Sequence, residues 1–311
     1  LTLRADSVVE GLDYDPVAKR LTGVRVIDAN TKEKTTYTAK LVFLCASTIG
    51  STQVLQNSRS EAFPNGLANR RGVLGRYLMD HTSESGAFGV VPGFMDKYPL
   101  GHRPNGTYIP RFRNLKDQDA DLDFVRGYGY QGGAQRMDWK AMSAQIPGFG
   151  ARFKQALRTP GPWFMFLAGF GEHLPHKDSR MLLDEKQVDS YGIPRVKFDS
   201  VYRENEQNMR KDIAAQTEAM LKAAGAVNVN SFVSDVGPGT AIHEMGTARM
   251  GDNPAESVLS KWNQAYDVAN LFVTDGACMT SSSCVNPSIT YMALTARAAD
   301  YAVKQLKSGH I

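Results

Sequence analysis

The sequence feature that most restricts the fold is an uninterrupted apolar run at residues 41–45, followed by a turn of small residues. A strand with apolar side chains at every position is buried on both faces, as in a parallel sheet that helices cover. Residues 49–57 then carry a short helical pattern. This succession of strand, turn and helix predicts an α/β fold for this part of the chain.

The middle of the chain predicts a different architecture. Residues 83–200 hold many Gly, Pro and aromatic residues in short alternating runs. Such runs indicate a mostly antiparallel sheet with long loops. Residues 164–168 and 195–198 are the clearest of the predicted strands.

Two longer helices are predicted in the C-terminal third. The first covers residues 204–224, and Gly225 follows its last turn, where glycine commonly ends a helix. The second begins at Pro287, because proline suits a first helical turn, and ends near residue 306. On this second helix we expect one apolar stripe to face the core, formed by Ile289, Ala293, Ala296 and Val303.

Composition excludes several classes of protein. With 42% hydrophobic and 22% charged residues, a soluble globular chain is expected, and a net charge of +4 without a Lys/Arg block argues against nucleic-acid binding. Three cysteines, Cys45, Cys278 and Cys284, are an odd and sparse set for a disulfide framework. No apolar run reaches the roughly 18 residues of a membrane span. No signal peptide is visible, so a cytoplasmic and a periplasmic location both stay open.

One glycine pattern imitates a nucleotide site. Gly127, Gly129 and Gly132 match the spacing G-x-G-x-x-G, which in dinucleotide-binding proteins follows a buried strand and opens a helix. Here Gly133 and Ala134 come next, and the surrounding stretch is aromatic and extended. We therefore expect a glycine-rich strand or loop rather than a phosphate-binding turn.

The strongest functional pattern lies near the C-terminus. It reads His-Glu-Met-Gly-Thr-Ala-Arg-Met-Gly at 243–251, Asn-Leu-Phe-Val-Thr-Asp-Gly at 270–276 and Cys-Val-Asn-Pro-Ser-Ile-Thr-Tyr-Met-Ala-Leu at 284–294. Histidine suits a general base because its ordinary pKa lies near neutral pH. Asn286 precedes the predicted last helix, whose N-terminus carries free N–H groups and partial positive charge.

In order and spacing, this pattern resembles the glucose–methanol–choline (GMC) family of FAD oxidoreductases. Shorter matches are Gly-Leu-Ala-Asn at 66–69, Asp80-His81, and a run at 44–53 that departs from the family's usual Ala-Ala-Gly. Glu172-His-Leu-Pro and Leu182-Leu-Asp are similar to the sugar-oxidising branch, which contains pyranose oxidases and glucoside 3-dehydrogenases.

The resemblance implies a partial FAD-binding domain of Rossmann type, formed by residues 1–82 and 237–311. Residues 83–236 would form an inserted α+β substrate-binding domain on a mostly antiparallel sheet. Members of the family carry their G-x-G-x-x-G turn upstream of the region that matches here. We therefore expect an N-terminal FAD-binding segment to be missing from this sequence, as in a fragment of a longer chain.

The resemblance also implies catalytic and cofactor residues. His243 is the expected base that takes the substrate's hydroxyl proton, and Asn286 is the expected hydrogen-bond donor to the developing alkoxide. The implied FAD contacts are Val8, Ala46, Asp275, Gly276, Asn286, Pro287 and Ser288.

Candidate substrate residues come from the aromatic stretch in the middle of the chain. Aromatic faces and planar donors suit sugar rings, so Tyr130, Gln131, Gln135 and Arg136 are candidates, with Tyr128 and Trp139 beside them. An ordinary aromatic core is the alternative interpretation.

Two other patterns have a structural interpretation. His173 and His176 with Asp178 imitate a metal site, but we expect exposed loop residues and no metal, because no third ligand stands at a recognised spacing. Asp80-His81 is expected to be a structural turn near the cofactor.

The function implied is FAD-dependent oxidation of a sugar or glycoside hydroxyl to a ketone or lactone, with the hydride passing to flavin N5. The electron acceptor stays open among oxygen, a quinone and a cytochrome. The alternatives are a non-catalytic chain of this type that acts as a binding or assembly subunit, and a truncated form of a complete enzyme. A companion subunit or a homo-oligomer fits any of these.

Overall fold

The computed structural model describes residues 1–97, 106–115, 122–158 and 160–311. Its strands are β1 Ser7–Asp15, β2 Arg20–Asp28, β3 Lys34–Tyr37, β4 Val42–Leu44, β5 His81–Thr82, β6 Ser85–Val91, β7 Thr107–Ile109, β8 Tyr128–Arg136, β9 Trp163–Glu172, β10 Arg180–Val188, β11 Pro194–Asp199, β12 Val227–Val233 and β13 Leu271–Val273. Its helices are α1 Ser47–Asn57, α2 Trp139–Gln145, α3 Gly150–Ala156, α4 Glu204–Ala223 and α5 Ser288–Lys307, with a 3₁₀ turn at Gly276–Cys278. The fold is mixed α/β with mostly antiparallel sheets, as predicted.

The apolar run at 41–45 forms the buried strand that the sequence predicts. This strand, β4, pairs in parallel with β13, which joins two distant parts of the chain. On one face Leu44 and Val273 pack against α1, and on the other Phe43 stacks on Phe272 with 4.9 Å between ring centroids. The second face also contacts Ala298 of α5. Helices therefore cover both faces of the parallel pair, which explains the uninterrupted apolar pattern.

Strands β1, β2 and β3 form an antiparallel sheet beside this pair. Its inward side chains Leu12 and Leu21 enter the same core as α1. The Asn270 amide, just before β13, bonds both backbone groups of Leu21. This amide pairs two buried backbone groups that would otherwise lack partners.

The middle of the chain forms a six-stranded sheet with the order β12-β6-β9-β8-β7, and β5 pairs with β9. Helix α4 covers one face, where Met209 and Ile213 are fully buried. Two glycines of β9 permit this approach. A Cβ on Gly169 would lie 2.4 Å from Ile213 Cγ2, and one on Gly171 would lie 2.3 Å from Met209 Sδ.

The G-x-G-x-x-G pattern lies in this sheet, as expected for a glycine-rich strand. Gly129 and Gly132 belong to β8, which pairs with β9 over its whole length. A Cβ on Gly132 would lie 2.1 Å from the carbonyl oxygen of Phe166 in β9. These glycines therefore allow close strand packing and form no nucleotide-binding turn.

The predicted core face of the last helix is wrong. In α5 the buried residues are Ala298 and Ala302, whereas Ile289 is 78% exposed and Val303 is 46% exposed. Helix α5 packs its alanine face against β4 and β13, because small side chains let it lie close to the stacked rings of Phe43 and Phe272. Across the described ranges no helix is long and apolar enough to cross a membrane.

Candidate active site

The carboxyl ends of β4 and β13 lie side by side and form one edge of the parallel pair. Ala46 follows β4 and precedes α1, and Asp275 follows β13. Ala46 is exposed and Asp275 is half-buried. In open α/β sheets, ligands bind outside the carboxyl ends of the strands. This edge is therefore a candidate ligand site.

Asp275 connects the two strand ends. Its carboxylate accepts hydrogen bonds from the Ser51 hydroxyl and from the Ala277 N–H, the latter at 2.9 Å. Ser51 Oγ in turn accepts the Ala46 N–H at 3.0 Å. Burial raises the pKa of Asp275, and these hydrogen bonds oppose that effect. The network fixes the start of α1 against the turn after β13.

Gly276 is required by the packing of the protein itself. A Cβ at this position would lie 2.3 Å from Thr48 Oγ1, 2.6 Å from the Glu244 carbonyl oxygen and 3.0 Å from the Tyr291 hydroxyl of α5. These contacts join α1, the His243 loop and α5 at one point. The predicted contact between Gly276 and a cofactor stays a proposal.

His243 stands at the end of a loop that one carboxylate holds. Asp80 is 2% exposed, and its two oxygens accept the N–H groups of Gly239, Ala241 and His243 at 3.1, 3.0 and 3.2 Å. It also accepts the N–H of His81 at 2.7 Å. The predicted turn at Asp80-His81 is thus the anchor of the loop that carries His243.

The ring of His81 lies edge-on against that of His243, with 4.9 Å between centroids and planes at 84°. His81 Nδ1 is 3.1 Å from the Ser283 carbonyl oxygen, which can only accept, so Nδ1 carries the proton. Burial lowers the pKa of His81, and the nearby His243 lowers it further. His81 therefore connects His243 to the segment before Asn286 as a neutral ring.

His243 itself has the properties of a base at neutral pH. It is half-buried, and burial lowers its pKa against the opposing charges of Asp80 and Glu244. Its Nδ1 is buried and has no hydrogen-bond partner among the described residues. The imidazole is thus neutral near pH 7 and able to accept a proton.

Asn286 is exposed at the start of α5, and its side chain meets a predicted substrate residue. Gln131 of β8 donates from Nε2 to Asn286 Oδ1 at 2.8 Å. Because the amide oxygen is engaged, the amide NH₂ of Asn286 is the group left to donate. Pro287 is buried and Ser288 is exposed beside it. Val8 lies on β1, where it pairs with Ile27.

The structure separates the four predicted substrate residues. Tyr130 is fully buried in the core under α4 and donates from its hydroxyl to the Ile213 carbonyl oxygen at 2.9 Å. Tyr128 is equally buried, and its hydroxyl donates to the Asp212 carboxylate. The sugar-contact role predicted for these two tyrosines is wrong, since strand alternation places both on the covered face of the sheet.

Gln135 and Arg136 are the last two residues of β8, four and five positions after Gln131. They line an open pocket of about 570 Å³ together with Phe88, Phe164 and Phe166. Trp139 follows in α2 and is 58% exposed. Among the predicted substrate residues, Gln131 hydrogen-bonds Asn286.

The predicted exposure of His173 is wrong. It is fully buried rather than exposed, and its Nδ1 accepts the Asp80 N–H at 3.3 Å. Its ring packs on Tyr202, whose hydroxyl donates to the His81 carbonyl oxygen at 2.9 Å. His173 thus stabilises the Asp80 turn through its hydrogen bond to the Asp80 backbone. Within the described part of the chain, no group of three or more His, Cys, Asp or Glu side chains is arranged to hold a metal ion.

Comparisons with known proteins agree with the resemblance seen in the sequence. Residues 175–295 match the family model for GMC oxidoreductases. The chain is 32% identical over 286 residues to 2-methyl-1,2-propanediol dehydrogenase of Mycolicibacterium austroafricanum, covering 91% of this chain and 51% of that protein. It is 26% identical over 307 residues to the fructose dehydrogenase large subunit of Gluconobacter japonicus, covering 98% and 54%.

A solved structure of formate oxidase from Aspergillus oryzae RIB40 superimposes with a TM-score of 0.66 at 15% identity, covering 97% of this chain and 60% of that one. At this identity the likeness shows the fold alone. The chain spans about half the length of the curated relatives it matches. The family match, the two relatives and the shared fold lead to one conclusion: residues 175–295 belong to the GMC oxidoreductase family, and the chain as a whole is similar to members of that family.

Proposed function

We propose that the protein containing this chain oxidises a hydroxyl of a sugar or glycoside with FAD, with His243 as the base. The observation that carries the proposal is the junction at His243, where a neutral, half-buried imidazole adjoins the Asn286 segment through His81. The two named relatives are dehydrogenases of a diol and of a sugar, which supports an alcohol as the reacting group.

His243 takes the hydroxyl proton. A general base works best with a pKa near the working pH and in its unprotonated form. Burial supplies that form, because it lowers the pKa of His243. Three N–H bonds from the loop to Asp80 hold the loop in place, so the His243 ring needs no rearrangement during the reaction.

Asn286 holds the substrate oxygen. Its amide NH₂ donates to the oxygen as negative charge develops there, and an amide does not compete with His243 for the proton. Gln131 keeps the amide in this orientation by occupying its oxygen. Gln131 is thus a positioning residue, and it brings the antiparallel sheet of residues 83–236 to the reacting group.

The residues at the strand ends fit FAD. Exposed Ala46 and half-buried Asp275 follow the carboxyl ends of β4 and β13, and a Cβ on Gly276 would lie 3.0 Å from the Tyr291 hydroxyl in the first turn of α5. Asn286 and Ser288 are exposed at the start of that helix. The N–H groups at the start of α5 favour an anionic group there. Residues 1–82 and 237–311 would hold the cofactor from this side, and bound FAD would accept the hydride.

The proposal is tested by an anaerobic visible spectrum of the protein purified from its native source. Glucose, methyl β-glucoside and propane-1,2-diol are added in turn. A flavin band that bleaches with a sugar or glucoside supports the proposal. A flavin band that bleaches with the diol alone would replace the sugar by a simple alcohol, and a preparation without flavin would overturn the redox function.

A further inference from the structure

We propose that the open face of the six-stranded sheet is a distal subsite that binds the second ring of a glycoside. It extends from Gln131, at Asn286, to the pocket at Gln135. This inference rests on the proposed function, because it takes the ring oxidised at His243 and Asn286 as the fixed end of the substrate.

The strand register places the necessary side chains on one face. In the pairing of β8 with β9, Gln131 stands opposite Ala168, Gly133 opposite Phe166 and Gln135 opposite Phe164. Residues two apart on a strand share a face, and residues that pair directly lie on the same face. Helix α4 packs on the opposite face, against Tyr130 and Leu167. The face with the two glutamines is therefore the one that α4 leaves uncovered.

Aromatic rings form the floor of this face. Phe166 of β9 pairs with Phe88 of β6, and these two rings are 46% and 42% exposed. Gly133, on the other side of Phe166, adds no side chain, and a Cβ there would meet only the Gly106 Cα, at 3.7 Å. Flat apolar floors with a few polar groups around them are typical of sites that bind rings.

Polar side chains surround the far end of the floor. Gln135, Arg136, Asp138 and Gln145 line the pocket with the phenylalanines. The guanidinium of Arg136 is itself fixed, since it donates to the carbonyl oxygens of Gly161 at 3.0 Å and Lys97 at 2.8 Å. The Gln135 amide can donate to and accept from hydroxyl groups. An aromatic floor with amide neighbours matches a sugar or aryl ring better than a charged ligand.

The length of the face indicates the size of the substrate. Gln131 and Gln135 are four residues apart on one strand, so they are separated by roughly 13 Å at about 3.3 Å per residue. A single pyranose ring with its hydroxyls spans roughly 6–7 Å from bonds of about 1.5 Å. With both side chains upright on the sheet, one ring does not reach both glutamines, whereas a two-ring glycoside does.

The test compares phenyl β-glucoside with methyl β-glucoside on the FAD-loaded protein from its native gene. In the wild type we expect phenyl β-glucoside to give the higher kcat/KM. Phe166→Ala and Gln135→Ala should each lower that value about five- to tenfold, leaving kcat/KM for methyl β-glucoside unchanged. Phe166→Leu keeps apolar volume without a flat face, so its kcat/KM for phenyl β-glucoside should lie between those of the wild type and Phe166→Ala. Calorimetric binding of phenyl β-glucoside should weaken by the same factor, and Phe149→Ala, at an exposed ring outside the pocket, should change neither substrate.

The outcomes separate the two proposals. Equal kcat/KM for both glucosides in the wild type, or equal losses for both in the variants, would overturn the subsite while the oxidation itself stands. No bleaching of the flavin by either glucoside would overturn the proposed function and the subsite with it. Selective loss for phenyl β-glucoside, with melting temperatures unchanged, supports the subsite.

Discussion

The parallel pair β4–β13 and the six-stranded antiparallel sheet bury their side chains in opposite ways. In the parallel pair, α1 and α5 cover both faces, and the three residues of β13 have no exposed surface. The six-stranded antiparallel sheet has α4 on one face and an open aromatic face on the other, where Phe88 and Phe166 are exposed. The first sheet offers only its strand ends to a ligand, whereas the second offers a broad surface.

Because of this difference, the two sheets contribute to the candidate site in different ways. The candidate site lies where they meet, because His81 of β5 contacts His243 and Gln131 of β8 contacts Asn286. His243 lies in the loop between β12 and β13, and Asn286 follows β13, so segments on either side of β13 carry the proposed reacting groups. In the proposed function, the antiparallel sheet positions these groups through His81 and Gln131 and gives an extended surface for the substrate.

The largest expected effect is the loss of the base. His243→Gln should lower kcat for flavin reduction by about 10²–10⁴, because a positioned general base contributes that much. Stopped-flow reduction by the sugar measures it, and the flavin absorbance shows whether the cofactor is retained. His310→Gln, at an exposed residue near the C-terminus, is the matched control. A His243→Gln protein with normal kcat would place the base elsewhere.

A pair of isoleucine variants tests the contrast between the helix faces. Ile213→Ala, under the antiparallel sheet, should lower the free energy of unfolding by about 2–5 kcal/mol, since a fully buried side chain leaves a cavity. Ile289→Ala on α5 should change it by less than about 0.5 kcal/mol, because Ile289 is 78% exposed. Urea unfolding followed by far-UV circular dichroism measures both. Equal losses would show that the exposed face of α5 is covered in the protein as tested.

Asp80 joins the loop that carries His243 to strand β5 of the antiparallel sheet. Asp80→Asn replaces one carboxylate oxygen by an NH₂ group that cannot accept, so at least one buried N–H loses its partner. We expect a loss of about 1–3 kcal/mol in stability together with a lower kcat. Asp199→Asn, an exposed carboxylate 3.3 Å from Arg180, should cost less than about 1 kcal/mol. Equal losses in the two variants would contradict the anchoring role of Asp80.

Much of this arrangement could be predicted from the sequence, because local patterns determine it. The apolar run at 41–45 identified β4, and helical periodicity with the flanking Pro287 and Gly225 located α5 and α4 to within one residue at each end. The catalytic roles of His243 and Asn286 were implied by the family resemblance and stay predictions.

What the sequence did not show depends on contacts between distant segments. Tyr130 and Gln131 are neighbours, and only the position of α4 decides which of them enters the core. The buried face of α5 follows from the aromatic pair on β4 and β13. The ring contact of His81 with His243 joins residues far apart in the chain, and the short Asp80-His81 match gave no signal of it.

The smallest expected effect is a shift in pH dependence. The active form has neutral His243, so kcat/KM falls as pH drops through its pKa. Because burial lowers that pKa, the midpoint of the acidic limb should lie below the ordinary value of about 6.5. The titratable and charged groups around the ring are Asp80, Glu244 and His81.

Each carboxylate raises the pKa of His243, so removing its charge should move the midpoint to still lower pH. We expect a larger shift for Asp80→Asn than for Glu244→Gln, and none for Asp199→Asn, which faces Arg180 on the β10–β11 hairpin. Profiles of kcat/KM for flavin reduction between about pH 4.5 and 8 measure these shifts, since kcat/KM reports the free enzyme. A purely structural Asp80 would lower the whole profile without moving its midpoint, and a midpoint that moved to higher pH would contradict His243 as the base.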